Sequence, residues 1–179
     1  MRPMKPDPGI RVQAVRIPTE NGGMSALLLS PLAALKNAAG ILWLHGGGYI
    51  AGMKEMVHAS RAVDLVKKFG VAVLSPGYRL ALKAPYPAAI DDCYAALLYL
   101  KAHTAAFGVR SDQLMVGGES AGVPAELDVY HSDMHAFDMM RPDDVLSIQA
   151  AEAFNTRFAD AQARFFAPQH EIQEERHDS

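Results

Sequence analysis

Residues 114–122 read L-M-V-G-G-E-S-A-G, and this stretch constrains the chain more than any other. Leu114-Met115-Val116 is a short apolar run with the look of a buried strand. It leads into Gly118-Glu119-Ser120-Ala121-Gly122, a G-x-S-x-G pattern. A serine at a sharp strand-to-helix turn sits on a strained backbone. Small residues two before and two after it let the chain fold back without a side-chain clash. The hydroxyl then stands clear of the sheet, within reach of a histidine and a substrate. Five such residues are common by themselves. The pattern gains force only beside a glycine-rich donor loop, a histidine and an acid in the proper order.

The chain before it supplies the donor loop. Residues 11–17 alternate and read as a strand, residues 24–29 as a second, and Asn21-Gly22-Gly23 as the turn of a hairpin. Residues 31–39 read as a loop. Residues 40–44, G-I-L-W-L, are wholly apolar, as a strand covered on both faces must be. They run into His45-Gly46-Gly47-Gly48-Tyr49. Three glycines in a row are costly in chain entropy, and make sense where backbone N–H groups must approach a ligand closely.

Residues 57–69 carry Ala59, Ala62, Val63, Val66 and Phe69 at spacings of three and four, with Gly70 as the stop. This predicts an amphipathic helix. Residues 71–74 read as another buried strand, so strand, helix and strand form a βαβ unit with parallel pairing. A second helix is expected over residues 88–103, with Ile90, Tyr94, Leu97 and Leu98 on one face. Its Asp91-Asp92 pair reads as a solvated helix start at the positive helix end, in preference to a metal site. Cys93 reads as a small core residue. Residues 107–112 read as a loop before the serine strand.

After Gly122 the pattern changes abruptly. Val123-Pro124-Ala125 is followed at once by an alternating strand at residues 126–130, then a loop at 131–138 that contains His135. Arg141-Pro142-Asp143-Asp144 reads as a helix start. Residues 145–166 place Ile148, Ala151, Phe154, Phe158, Ala161 and Phe165 on a helical stripe that reads as core.

A chain of 179 residues is one domain's worth, here residues 1–167, with a charged disordered tail at 168–179. Half of it is hydrophobic, ordinary for a globular protein, and the net charge of -3 gives no electrostatic case for nucleic acid or an anionic membrane. Residues 1–9 hold three prolines and no apolar core, so no secretory signal is read there. The longest apolar stretch, 26–44, is interrupted by Pro31, Lys36 and Asn37 and reads as no membrane span. A single cysteine excludes an internal disulfide and fits a reducing cytoplasm.

Five segments together resemble the hormone-sensitive-lipase-like bacterial esterases, a family of α/β-hydrolases. They are His45-Gly46-Gly47-Gly48, Tyr78-Arg79-Leu80-Ala81, Tyr86-Pro87-Ala88-Ala89 with Asp91-Asp92, the serine pattern at 118–122, and His135-Ala136-Phe137-Asp138. They stand in the family's order. The resemblance implies an α/β fold with a mostly parallel sheet and flanking helices. It implies Ser120 as nucleophile on a small or medium acyl ester, His135 as general base, and an acyl-enzyme intermediate. It implies an oxyanion hole from the N–H groups of Gly46, Gly47, Gly48 and Ala121, each such donor lowering the barrier by about 3 kcal/mol. His45 resembles the family's loop-holding residue. His58, His103 and His131 match nothing and are expected at the surface. No cofactor and no metal are implied.

The sequence departs from that family in one large respect. Ser120 and His135 are only 15 positions apart, where the family places further strands, helices and the triad acid. No residue stands in the acid's position, so none is assigned. The shared Ala121-Gly122 fits both the serine turn and the approach to the family's last strand. An internal deletion, natural or engineered, is inferred there; a spurious join in the gene sequence leaves the same trace. Pro124 leaves no room for the helix that should follow Ser120, and a parallel return to the sheet needs a dozen or more residues. An uncovered sheet edge that favours self-association is expected. The chain therefore reads as a serine carboxylesterase or, alternatively, as its catalytically impaired remnant. The order of the motifs disfavours a plain structural domain.

Overall fold

Unbroken runs of buried residues in the middle of the chain dictate a sheet covered on both faces. The computed structural model describes residues 4–119 and 141–165. Strands β1 (Ile10–Ile17) and β2 (Met24–Pro31) form the predicted hairpin, paired along their whole length from Ile10↔Pro31 to Ile17↔Met24. Strand β3 (Ala38–Leu44) and strand β4 (Ala72–Pro76) pair in parallel, and β4 also pairs antiparallel with β2. Strand β5 (Val109–Gly118) lies parallel to β3, so the order across the sheet is β1-β2-β4-β3-β5.

Alternation along the strands builds two cores. Ile41, Trp43 and Val73 point to one face, where they meet Ala62, Val63 and Val66 of helix α1 (Arg61–Phe69) and Phe158 of helix α3 (Val145–Phe165). Leu42, Leu44 and Leu74 point to the other, against Ala96 and Leu100 of helix α2 (Ala88–Ala102). Helix α1 joins β3 to β4 and α2 joins β4 to β5, each as a crossover between parallel strands. Helix α3 is seated by aromatic contacts, Phe158 on Phe69 at 5.0 Å and Phe154 edge-on to Trp43 at 6.4 Å.

Several expectations need correction. The helix expected over residues 57–69 is two elements, a 3-10 helix at Lys54–Ala59 and then α1. Ser60 divides them: its hydroxyl accepts from the Ala62 amide at 3.1 Å and donates to the Val57 carbonyl at 2.8 Å, a serine N-cap. The apolar face expected of α2 is not its buried face. Ile90, Tyr94 and Leu98 are exposed, while Ala88, Asp92, Ala96 and Leu100 face the sheet. Two alanines allow close approach, and Asp92 is drawn inward by a cation described below. Strand β5 begins at Val109, inside the expected loop; the register shift between Ala38 and Gly40 lets Arg110 to Gln113 bulge from the ladder before Leu114 pairs with Gly40. Its apolar run is only half-buried and Val116 is exposed, because β5 is the edge of the described sheet. On α3, Ile148 is exposed and the core contact falls to Phe158 and Phe154. Cys93 is partly buried and packs against the α2-side core; burial pushes its thiol up to about 12. The strand expected at 126–130, the loop at 131–138 and the tail at 168–179 lie outside the described residues.

Replacing Phe158 by alanine removes the main apolar anchor of α3 and is expected to cost about 3 kcal/mol. Urea denaturation followed through Trp43, the sole tryptophan, checks this; a loss below 1 kcal/mol would show that α3 is not seated on this core.

Candidate active site

Parallel pairing of β3 with β5 brings the two glycine-rich segments together. Leu44 is in register with Gly118, and the Glu119 amide donates to the Leu44 carbonyl at 3.1 Å. The His45-Gly46-Gly47-Gly48 loop and the residue just before Ser120 thus leave the sheet side by side. They do so at the carboxyl ends of parallel strands, where open α/β sheets hold ligands.

Within the loop, successive peptide groups are held by their carbonyl ends. The His45 carbonyl accepts from the Tyr78 hydroxyl at 2.6 Å. The Gly46 carbonyl lies 2.9 Å from His45 Nδ1, and the Gly47 carbonyl accepts from the amides of Ile50 and Ala51, each at 3.1 Å. A peptide group is planar, so fixing a carbonyl fixes the N–H at its other end. Those N–H groups belong to Gly46, Gly47 and Gly48, and they meet no acceptor among the described residues. Gly47 and Gly48 are exposed. Gly47 has φ 118°, and a Cβ there would fall on the Ala51 carbonyl, so only glycine fits this turn. Exposed N–H groups without an internal acceptor at a strand end are the kind of donors that suit an anion or an oxyanion.

His45 holds the loop's first turn. It is only 2% exposed, and its ring stacks on Tyr78 with centroids 4.1 Å apart and planes 6° apart. Burial lowers its pKa, partly offset by the Gly46 carbonyl. The neutral tautomer with its proton on Nδ1 donates to that carbonyl. His45 Nε2 is buried with no partner among the described residues. The Tyr49 carbonyl at the far end of the loop accepts from the Ala81 amide at 2.7 Å, so the 78–81 segment ties both ends.

That segment is anchored in turn by α2. Arg79 grips Asp92 with two side-chain bonds of 2.9 Å, and its own amide adds a third at 2.8 Å. Asp92 is 3% exposed, and the paired carboxylate raises the Arg79 pKa. Asp92 is thus not the solvated helix start expected from the sequence; Asp91 alone is exposed. The available signal was its register: Ala88, Asp92, Ala96 and Leu100 recur every four residues, which puts a carboxylate in the buried stripe. His58 and His103 also differ from expectation. His58 is buried, with Nδ1 unpartnered among the described residues, and His103 stacks on Tyr99 at 3.9 Å. Of the expected site residues, Gly46, Gly47 and Gly48 directly follow β3, Gly46 buried and Gly47 and Gly48 exposed. Ser120, Ala121, His135 and also His131 lie outside the described residues.

Residues 41–125 match a family described as alpha/beta hydrolase fold. This segment has the α/β-hydrolase fold. The match takes in the glycine loop, the Tyr78-Arg79 segment, α2 and the serine pattern, and stops at residue 125. Over 89 residues the chain is 39% identical to an ethyl acetate hydrolase of Pseudomonas putida, covering 50% of this chain and 27% of that one. Over 96 residues it is 31% identical to hormone-sensitive lipase of Bos taurus, covering 54% of this chain and 13% of that one. Among solved structures, a bacterial heroin esterase superposes with a TM-score of 0.58 at 29% identity, covering 62% of this chain and 35% of that one. A hyperthermophilic esterase from Pyrobaculum calidifontis gives 0.56, also at 29% identity, over 63% and 36%. The chain therefore matches well under half the length of those relatives. No helix among its described residues is long and apolar enough to cross a membrane.

The buried histidines give the fold a pH signature. Burial lowers the pKa of both His45 and His58 from the ordinary 6.5, so below that value the unfolded chain binds protons that the folded chain resists. The stabilising effect of keeping them neutral is complete above pH 6.5 and is lost as pH falls below it. Unfolding free energy should drop by up to about 1.4 kcal/mol per pH unit for each histidine. Urea titrations at pH 7.5, 6.5 and 5.5 measure the slope, and His58→Asn should reduce it; an unchanged slope in that variant would contradict the assignment.

Proposed function

We propose that this chain is a serine carboxylic-ester hydrolase by descent and chemistry, acting through an acyl-enzyme on small to medium acyl esters. The observation that carries this reading is the hydrogen bond from Glu119 to Leu44. The bond holds Glu119, the residue before Ser120, beside a loop whose amides have no internal acceptor and so suit a developing oxyanion. Ser120 attacks the ester carbonyl, and its proton passes to His135. The tetrahedral oxyanion is received by the N–H groups of Gly46, Gly47, Gly48 and Ala121. Collapse expels the alcohol, protonated by His135, and water repeats the sequence on the acyl-enzyme. The ester-acting names of relatives over the matched residues support the substrate class.

A second reading is favoured by one observation of its own. The family match ends at residue 125, at the junction where the chain passes from the serine turn to Val123-Pro124. A triad acid has no counterpart, so this chain by itself is an impaired form of the hydrolase. Loss of an acid that orients the histidine costs roughly four orders of magnitude in turnover. The expected result is that a fluorophosphonate probe labels the protein and not Ser120→Ala, while hydrolysis of p-nitrophenyl butyrate falls at least a thousandfold below that of a complete esterase. Equal behaviour of the two proteins would refute the hydrolase reading, and turnover at full-length rates would refute the impaired one.

The lone Cys93 fits a cytoplasmic setting. Strand β5, the edge of the described sheet with Val116 exposed, favours self-association of copies through that edge. Sedimentation equilibrium should show a dimer or higher species in the micromolar range that Val116→Lys dissociates; a monomer throughout would exclude it.

A further inference from the structure

Tyr78 touches the loop at two points. Its hydroxyl donates to the His45 carbonyl at 2.6 Å, and its ring lies flat on the His45 imidazole at 4.1 Å. The first contact holds the peptide plane that ends in the Gly46 N–H. The second holds the ring whose Nδ1 lies 2.9 Å from the Gly46 carbonyl, and that plane ends in the Gly47 N–H. The third plane, ending in the Gly48 N–H, is held independently by the amides of Ile50 and Ala51. Tyr78 is 4% exposed and directly precedes Arg79, whose side chain and amide are clamped by Asp92 of α2.

We propose that Tyr78 is a positioning residue of this site, setting the direction of the Gly46 and Gly47 N–H groups from a base fixed to α2 by Arg79 and Asp92. The proposal rests on the hydrolase reading for its catalytic consequence, but its geometric content does not. Burial pushes the Tyr78 hydroxyl up to about 12, so it keeps its proton and remains a donor throughout the working range of such a site. The ring stack tolerates loss of the hydroxyl, so the two contacts can be separated by substitution.

The test is amide NMR of the whole chain, comparing wild type with Tyr78→Phe and Asp92→Asn. Tyr78→Phe deletes only the hydroxyl. Its expected effect is graded: the Gly46 amide moves most, Gly47 less, and Gly48 stays within the scatter of distant residues. Asp92→Asn should give the same order at smaller size, and it decides the matter should Tyr78→Phe fail to fold. An unmoved Gly46 amide, or equal displacement of all three glycines, would overturn the proposal, since a merely structural loss has no reason to follow the peptide planes. Fluorophosphonate labelling supplies the second readout. Tyr78→Phe should slow labelling about tenfold, the effect of misaiming a donor worth roughly 1.4 kcal/mol. Labelling at the wild-type rate beside a displaced Gly46 amide would overturn the catalytic consequence. A wild type that does not label while Gly46 still responds would overturn the hydrolase reading and leave the positioning role standing.

Discussion

Parallel pairing between β3 and β5 is the constraint on which the site depends. Its register, Leu44 beside Gly118, decides that the glycine loop and Glu119 leave the sheet side by side. A slip of one residue would send Trp43 and Leu44 to the wrong faces and part the two segments. Both faces of β3 are buried, so such a slip is opposed by Ile41 and Trp43 on one side and Leu42 and Leu44 on the other. Core packing thus fixes the spacing of groups that themselves contribute little to packing.

A second layer of control runs through a buried charge. Removing Asp92 from water is unfavourable unless a cation and further donors compensate, and Arg79 supplies three bonds to it. That pair converts the position of α2 into the position of the 78–81 segment, and so into the pose of His45. The route from helix to loop is a contiguous set of short contacts. Each has a direction, and none involves the reacting groups themselves.

Much of this was legible in the sequence because it follows from local rules. The hairpin announced itself through Asn21-Gly22-Gly23, the doubly covered strand through G-I-L-W-L, and the tight turn after it through its three glycines. The parts that were not legible depend on contacts across the fold. Asp92 looks like a solvated helix start until Arg79, 13 residues earlier, is placed beside it. Ile90, Tyr94 and Leu98 look like a core face because apolarity alone does not say which side of a helix meets the sheet. The bulge in β5 has no local signature, since it arises from matching two strands of unequal spacing. His45 was legible as a loop residue but not as the side chain that pins the second of three peptide planes. That required knowing where Tyr78 arrives.

The position of β4 has a consequence for how the chain comes together. It lies between β2 and β3, pairing with both, although it follows both in sequence. Until residues 72–76 are synthesised, the β1–β2 hairpin and β3 have no common partner, and each carries an open, apolar edge. Assembly of these three strands therefore waits on a five-residue segment that follows both of its partners and enters between them. A nascent chain paused before it leaves the hairpin's free edge and β3 open together, the moment at which association between copies competes most strongly with folding.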